Sequence, residues 1–128
     1  MTKFKFIVER TRTGYSAYCE GKNYIVATTG GDMKELRYNM LEALNLYFED
    51  KGKVYTQDNI KVILDLPQFF EFYRVINAKA LSERIGMNQS LLAQYIKGIK
   101  TPSDAQVNRI LVGIRDLGRE LAQIDLKV

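Results

Sequence analysis

The chain has 128 residues, of which 46% are hydrophobic and 27% charged, and its net charge is +4. Because it contains one cysteine and no histidine, an internal disulfide framework and histidine-based acid–base catalysis are excluded, and a zinc site is not expected. No stretch approaches the roughly 18 consecutive apolar residues of a membrane helix, so we expect no membrane contact. The length predicts one or two small domains, and the single cysteine fits a cytoplasmic protein. We expect no metal and no cofactor.

The first half of the chain alternates like a set of strands and then changes to a helical period. Three segments have the alternation or β-branched content of strands, namely residues 3–11, 15–20 and 24–28. Asp32 is a good cap for a helix that begins at residue 33 and should end around residues 49–51, and residues 59–66 alternate again. This order predicts a small β-β-β-α-β domain over residues 1–66. One helix leaves a face of the sheet uncovered, and there, or at an edge strand, we expect a protein partner.

The acidic residues of this half suggest an enzyme as another interpretation. Metal-dependent nucleases need several carboxylates around one or two cations, and Glu9 and Glu20 fall on the same side of the predicted sheet. Asp32 and Glu35 are explained by helix capping. Since a convincing third acid is missing, we expect no catalytic residues and no enzyme.

The second half, residues 67–128, is predicted to be all-helical. Pro67 suits the first turn of a helix, and three further helices are expected over residues 78–85, 89–97 and 104–124. The residues that cap or close the two short helices are Asn77, Gly86, Asn88 and Gly98. The whole chain is therefore expected to be α+β, with a sheet domain followed by an all-α domain.

Two short helices joined through a glycine-containing turn are typical of a helix-turn-helix, whose second helix enters the major groove of DNA. Gln and Asn bond bidentately to adenine, and Ser donates or accepts. Lys97, Lys100 and Thr101 follow this helix, where phosphates would run. Residues 67–128 carry nine basic and six acidic side chains, which also favours a polyanionic partner.

Residues 77–118 resemble the phage-repressor (XRE/Cro) type of helix-turn-helix. The matching features are Leu81, the small Ser82, Ile85-Gly86, the twelve-residue step from Gly86 to Gly98, and Lys100-Thr101-Pro102-Ser103. The residues that this resemblance places at base edges are Gln89, Ser90 and Gln94. It implies that Asn88 is both a cap and a phosphate contact. That family often has a phosphate-binding Gln where this chain has Ala78, so we expect that contact from Asn77 or Lys79.

The first half resembles the HicB antitoxin domain, a partial RNase H-like unit. The matching residues are Gly14-Tyr15, Ala17, Thr29-Gly30 with Asp32, Asn39 and Glu42-Ala43-Leu44. The chain departs from that family at Gly21-Lys22-Asn23, where a Pro-rich turn is usual.

Together the two resemblances imply an antitoxin of a type II toxin–antitoxin system. Residues 1–66 would bind and block a HicA-like toxin, a small basic RNA-cleaving protein that uses a histidine. Residues 67–128 would form a homo-oligomer, either a dimer or a tetramer, bind operator DNA and repress the operon. The alternative is a stand-alone helix-turn-helix transcriptional regulator whose first half dimerises or senses a ligand.

Overall fold

The computed structural model describes residues 2–127, which form four β-strands and five α-helices, so the chain is α+β as predicted. It divides into two compact units, the first ending at Phe72 and the second beginning at Tyr73. The elements of the first unit are β1 (Phe4–Thr11), β2 (Gly14–Glu20), β3 (Ile25–Gly30), α1 (Met33–Phe48), β4 (Ile60–Leu64) and α2 (Leu66–Phe72). Those of the second are α3 (Ala78–Ile85), α4 (Gln89–Ile96) and α5 (Asp104–Ala122).

The strands form one mixed sheet in the order β3-β2-β1-β4. Strands β1 to β3 pair antiparallel through the turns predicted between them, with Ile7 opposite Tyr18 and Tyr18 opposite Ala27. Strand β4 lies parallel to β1, with Ile63 beside Ile7. A parallel pair needs a crossover connection, and α1 lies within the connection from β3 to β4.

The core of the first unit lies between α1 and one face of the sheet. Its best-buried side chains are Phe6, Val8, Ala17, Cys19, Val26, Leu36, Met40 and Leu44. Burial of a side chain the size of Leu or Phe contributes about 1.5–3 kcal/mol, so this layer is the main source of stability in the first unit. Cys19 is a small core residue, as expected, and its burial raises the pKa of the thiol.

Local hydrogen bonds define both ends of α1. The Asp32 carboxylate accepts from the backbone N–H of Glu35 at 2.8 Å, which confirms the predicted cap. Glu35 accepts from the N–H of Gly31 at 3.3 Å, one residue before the position that a capping box would use. A short 3₁₀ turn over Glu49–Lys51 follows α1, and Gly52 closes it with a φ of 64°.

The first unit extends six residues beyond the predicted limit at residue 66 because α2 packs against β1. The side chain of Gln68 accepts from the Arg10 N–H at 2.9 Å and donates to the Arg10 carbonyl at 2.7 Å. These are the backbone groups that a neighbouring strand would engage, so Gln68 continues the pairing of β1 beyond the end of β4. The division into residues 1–66 and 67–128 therefore assigned α2 to the wrong unit.

The second unit is built from α3, α4 and α5 around a small core. Its buried apolar side chains are Leu81, Met87, Leu92, Tyr95 and Ile110. Helix α3 has the predicted bounds, whereas α4 and α5 end one and two residues earlier than predicted. Within residues 2–127, no helix combines the length and apolar content required to cross a bilayer.

Candidate nucleic-acid interface

Helices α3 and α4 form a tightly connected pair whose ends are fixed by local bonds. The Asn77 side chain accepts from the N–H of Ala80 at 3.0 Å, and the Asn88 side chain accepts from the N–H of Leu91 at 3.1 Å. Gly86 ends α3 with a φ of 67°, a left-handed conformation that glycine adopts without strain. Met87, in the turn, is buried. The predicted caps and the closing glycine of the helix pair are therefore confirmed.

A side chain from α5 holds the turn between the two helices. Arg109 Nη2 donates to the carbonyl of Ile85 at 3.0 Å and to that of Gly86 at 2.6 Å. A cation at a helix C-terminus is favourable because the last carbonyls carry partial negative charge. Arg84 on α3 forms an ion pair with Glu120 on α5. Sequence analysis missed the role of Arg109, which lies 24 positions from Ile85 along the chain.

One face of α4 is open and polar. Gln89, Ser90 and Lys97 are exposed, and Ala93 and Gln94 are half-buried. At about 100° per residue these five positions fall within an arc of about 140°. The opposite side of the helix carries the buried Leu92 and Tyr95. The structure therefore brings together on one surface the predicted base-reading residues Gln89, Ser90 and Gln94.

The two capping asparagines have only part of their hydrogen-bonding capacity left. Each side-chain oxygen already accepts from the backbone, so the side-chain NH₂ group remains as a donor. An amide donor of this kind can bond to a phosphate oxygen. Lys79 is exposed in the first turn of α3, where Ala78 offers no polar group. The predicted phosphate contacts Asn77 and Lys79 therefore both lie exposed at the start of α3.

The segment that follows α4 turns sharply and exposes its basic side chains. Gly98 has a φ of 74°, and the N–H groups of Ile99 and Lys100 both donate to the carbonyl of Gln94, at 2.9 and 3.3 Å. Lys97, Lys100 and Thr101 are all exposed in this turn. Ser103 then caps α5 by accepting from the N–H of Gln106 at 3.2 Å. The three predicted phosphate contacts therefore lie at the C-terminal end of the open face of α4 and in the turn that follows it.

In the first unit, the face of the sheet opposite α1 carries an apolar row across all four strands. The row consists of Ile63, Ile7, Tyr18 and Ala27, which are aligned by the strand register. Tyr18 is 38% exposed, and Ile25 at the β3 edge is 60% exposed. We call this surface the open sheet face.

The acidic pair considered for a nuclease does not converge on this face. Glu9 pairs with Ser16, four residues before Glu20 on the same strand, and this spacing corresponds to about 13 Å. Among residues 2–127, no group of three or more Cys, Asp or Glu side chains is arranged to hold a metal ion. Glu9 and Glu20 therefore do not form the carboxylate pair that the nuclease interpretation requires.

Comparison of the chain with models of protein families, with curated proteins and with solved structures finds no match. Its function has to be inferred from its own residues and their geometry.

Proposed function

We propose that this protein is a cytoplasmic antitoxin of a type II toxin–antitoxin system. Its second unit, a helix-turn-helix domain, binds operator DNA and represses the operon, and its first unit, a HicB-like domain, neutralises a HicA-like RNA-cleaving toxin. The observation that carries the DNA-binding part is the capped helix pair α3–α4, whose open face is polar and ends in a basic turn.

In this proposal α4 lies in the major groove. The first turn of the helix, with Gln89 and Ser90, faces the base edges, and the turn after it reaches the backbone. Each phosphate that Lys97 or Lys100 neutralises releases condensed counterions, so these residues supply affinity without sequence preference. Asn77 and Asn88 donate to phosphates at the starts of their helices, which fixes the register of α4 in the groove.

The toxin-binding part is supported by the open sheet face and by the resemblance of the first unit to HicB. The row of Ile7, Tyr18 and Ile63 offers apolar area to a partner, as expected of a surface that is covered in a complex. Glu9 lies beyond one side of this row and Glu20 beyond the other. The same face also carries the Lys5–Lys61 pair, so the border of the apolar row has mixed charge.

A homodimer is supported by α5. Apolar residues that are not part of the buried core recur along its C-terminal half at a spacing of three and four residues. They are Ile114, Leu117 and Leu121 in the helix and Ile124 just after it. Leu121 is 57% exposed and Ile124, just after the helix, is 63% exposed. A second copy packed on this stripe would bury both. It would also supply the second helix-turn-helix that a two-fold operator requires.

The experiment that tests this function is affinity purification of the tagged full-length chain from its native cell, with and without nuclease treatment. We expect a small basic protein in stoichiometric amount that remains bound after the DNA is digested. Tyr18→Asp on the open sheet face should abolish its capture. Tyr38→Asp, a matched change at a 67% exposed tyrosine on α1, should not.

Recovery of DNA without such a protein would reject the antitoxin. It would favour the stand-alone transcriptional regulator, whose first unit dimerises or senses a ligand. Equal loss of the partner in the Tyr18 and Tyr38 variants would reject the open sheet face as the toxin-binding surface.

A further inference from the structure

The surface proposed to read bases contains no arginine. From Gly86 to Ser103 the sequence has no Arg, and its first Lys is Lys97, eight residues after Gln89. Eight residues of helix span about 12 Å, so this lysine lies at the far end of α4 from the side chains in the first turn. Arginine or lysine contacting guanine is the commonest specific contact in the major groove. The first turns of α4 do not offer it.

Two arginines of the helix-turn-helix unit are engaged in other contacts. Arg84 is paired with Glu120, and Arg109 donates to the carbonyls that end α3. Releasing Arg109 would leave the carbonyls of Ile85 and Gly86 without its bonds and loosen the turn that positions α4. Neither arginine is therefore free to replace the missing guanine contact.

Of the side chains that remain in the first turns of the arc, Ser90 can bond to any base, whereas the two glutamines and Ala93 favour adenine and thymine. Gln89 and Gln94 each present a donor and an acceptor, the pair that adenine matches with its N7 and its exocyclic amino group. Asn88 is left out of this pairing because its capping bond to the N–H of Leu91 fixes the orientation of its amide group. The methyl group of Ala93 lies between the two glutamines in sequence and suits contact with the methyl group of thymine.

From this geometry we infer that α4 reads A·T base pairs, through adenine at Gln89 and Gln94 and thymine at Ala93. The inference rests on the proposed DNA binding and adds the class of base pair that is read. It makes the base pairs contacted by Gln89, Ala93 and Gln94 in each half-site A·T, with no guanine required at those positions.

The test begins with selection of binding sequences from a pool of random DNA duplexes by the purified full-length chain. Affinity for the consensus duplex is then measured by fluorescence anisotropy, with one base changed at a time. One analogue replaces N7 of adenine by carbon, and a second replaces thymine by uracil to remove the methyl group. Gln123→Ala, at an exposed glutamine following α5, is the matched control for the glutamine variants.

We expect the consensus to contain A·T pairs whose adenine analogue weakens binding by about five- to 150-fold. Gln89→Ala or Gln94→Ala should remove this sensitivity at one position each, and Gln123→Ala should leave it unchanged. Uracil should weaken the wild type and have no effect on Ala93→Gly.

The inference is overturned if the positions coupled to Gln89 and Gln94 are G·C, or if the adenine analogue binds as well as adenine. If no duplex is enriched from the pool, the proposed DNA binding itself fails. The two failures are thus distinguishable.

Discussion

Gly113 is a position where α5 packs closely against α3, and replacing it with alanine tests the packing that supports the helix pair. A β-carbon added there would lie 2.2 Å from Cγ2 of Ile85 and 3.8 Å from Cδ1 of Leu81. Ile85 is β-branched and sits in a helix, where one χ1 rotamer is strongly preferred. It cannot rotate away cheaply, so α3 and α5 must separate to admit the methyl group.

Gly118, on the same helix, provides the matched control. A β-carbon at this position meets nothing within 4 Å. Alanine is favoured over glycine within a helix by about 0.8–1.0 kcal/mol, so Gly118→Ala should stabilise the second unit by up to that amount. Gly113→Ala gains the same helix propensity but adds an overpacking cost of about 1–3 kcal/mol. The free energies of unfolding of the two variants should therefore differ by about 1–3 kcal/mol.

The assay is urea-induced unfolding followed by far-ultraviolet circular dichroism. In the Ile85→Ala background the clashing Cγ2 atom is absent, so Gly113→Ala should cost much less there than in the wild type, giving a coupling free energy of about 0.5–3 kcal/mol. If Gly113→Ala is as stable as Gly118→Ala, or if the effects of Gly113→Ala and Ile85→Ala simply add, α3 and α5 do not meet at this glycine.

Three further predictions concern DNA binding, assembly and pH. Lys100→Ala should weaken binding to all duplexes alike and reduce the slope of log affinity against log salt by about one, as measured by fluorescence anisotropy. The control Lys34→Ala, in the first unit, should leave this slope unchanged. An unchanged slope for Lys100→Ala would exclude a phosphate contact by this lysine. Leu121→Asp should raise the dimer dissociation constant, measured by sedimentation, by about tenfold or more, because the change removes apolar area from both copies. A wild-type chain that sediments as a monomer at every concentration would contradict the proposed dimer. Burial raises the pKa of the Cys19 thiol, so the unfolded thiol loses its proton at lower pH than the folded one. The free energy of unfolding, measured with urea, should therefore fall as pH rises from about 8 to 10. This fall should be smaller in Cys19→Ala. If the free energy of unfolding falls equally steeply with pH in both proteins, the thiol is not buried as described.

The ends of the helices were predictable from the sequence because the bonds that fix them are local. Asn77 and Asn88 each accept from a backbone N–H three residues later, so both groups lie within one short stretch of sequence. Gly86 and Gly98 adopt positive φ at the ends of α3 and α4, where glycine is the preferred residue. Propensity and capping therefore predicted the helix pair with bounds correct to within one residue.

Contacts between distant parts of the chain were not predictable in the same way. The bonds of Gln68 to Arg10 span 58 positions, and they place α2 in the first unit rather than in the second. Alternation correctly placed Glu9 and Glu20 on one side of the sheet. Their separation depends on the pairing of Glu9 with Ser16, which follows from strand register and not from residue type.

A footprint of the purified full-length chain on the DNA upstream of its own gene is the most direct measurement of the proposed function. Operator binding through α4 predicts two protected half-sites related by two-fold symmetry, with centres about 34 Å or a multiple of that distance apart. The protection should disappear when Lys97 and Lys100 are both replaced by alanine. Absence of protection by the folded wild-type chain, or an identical footprint from the double variant, would contradict DNA binding through this surface.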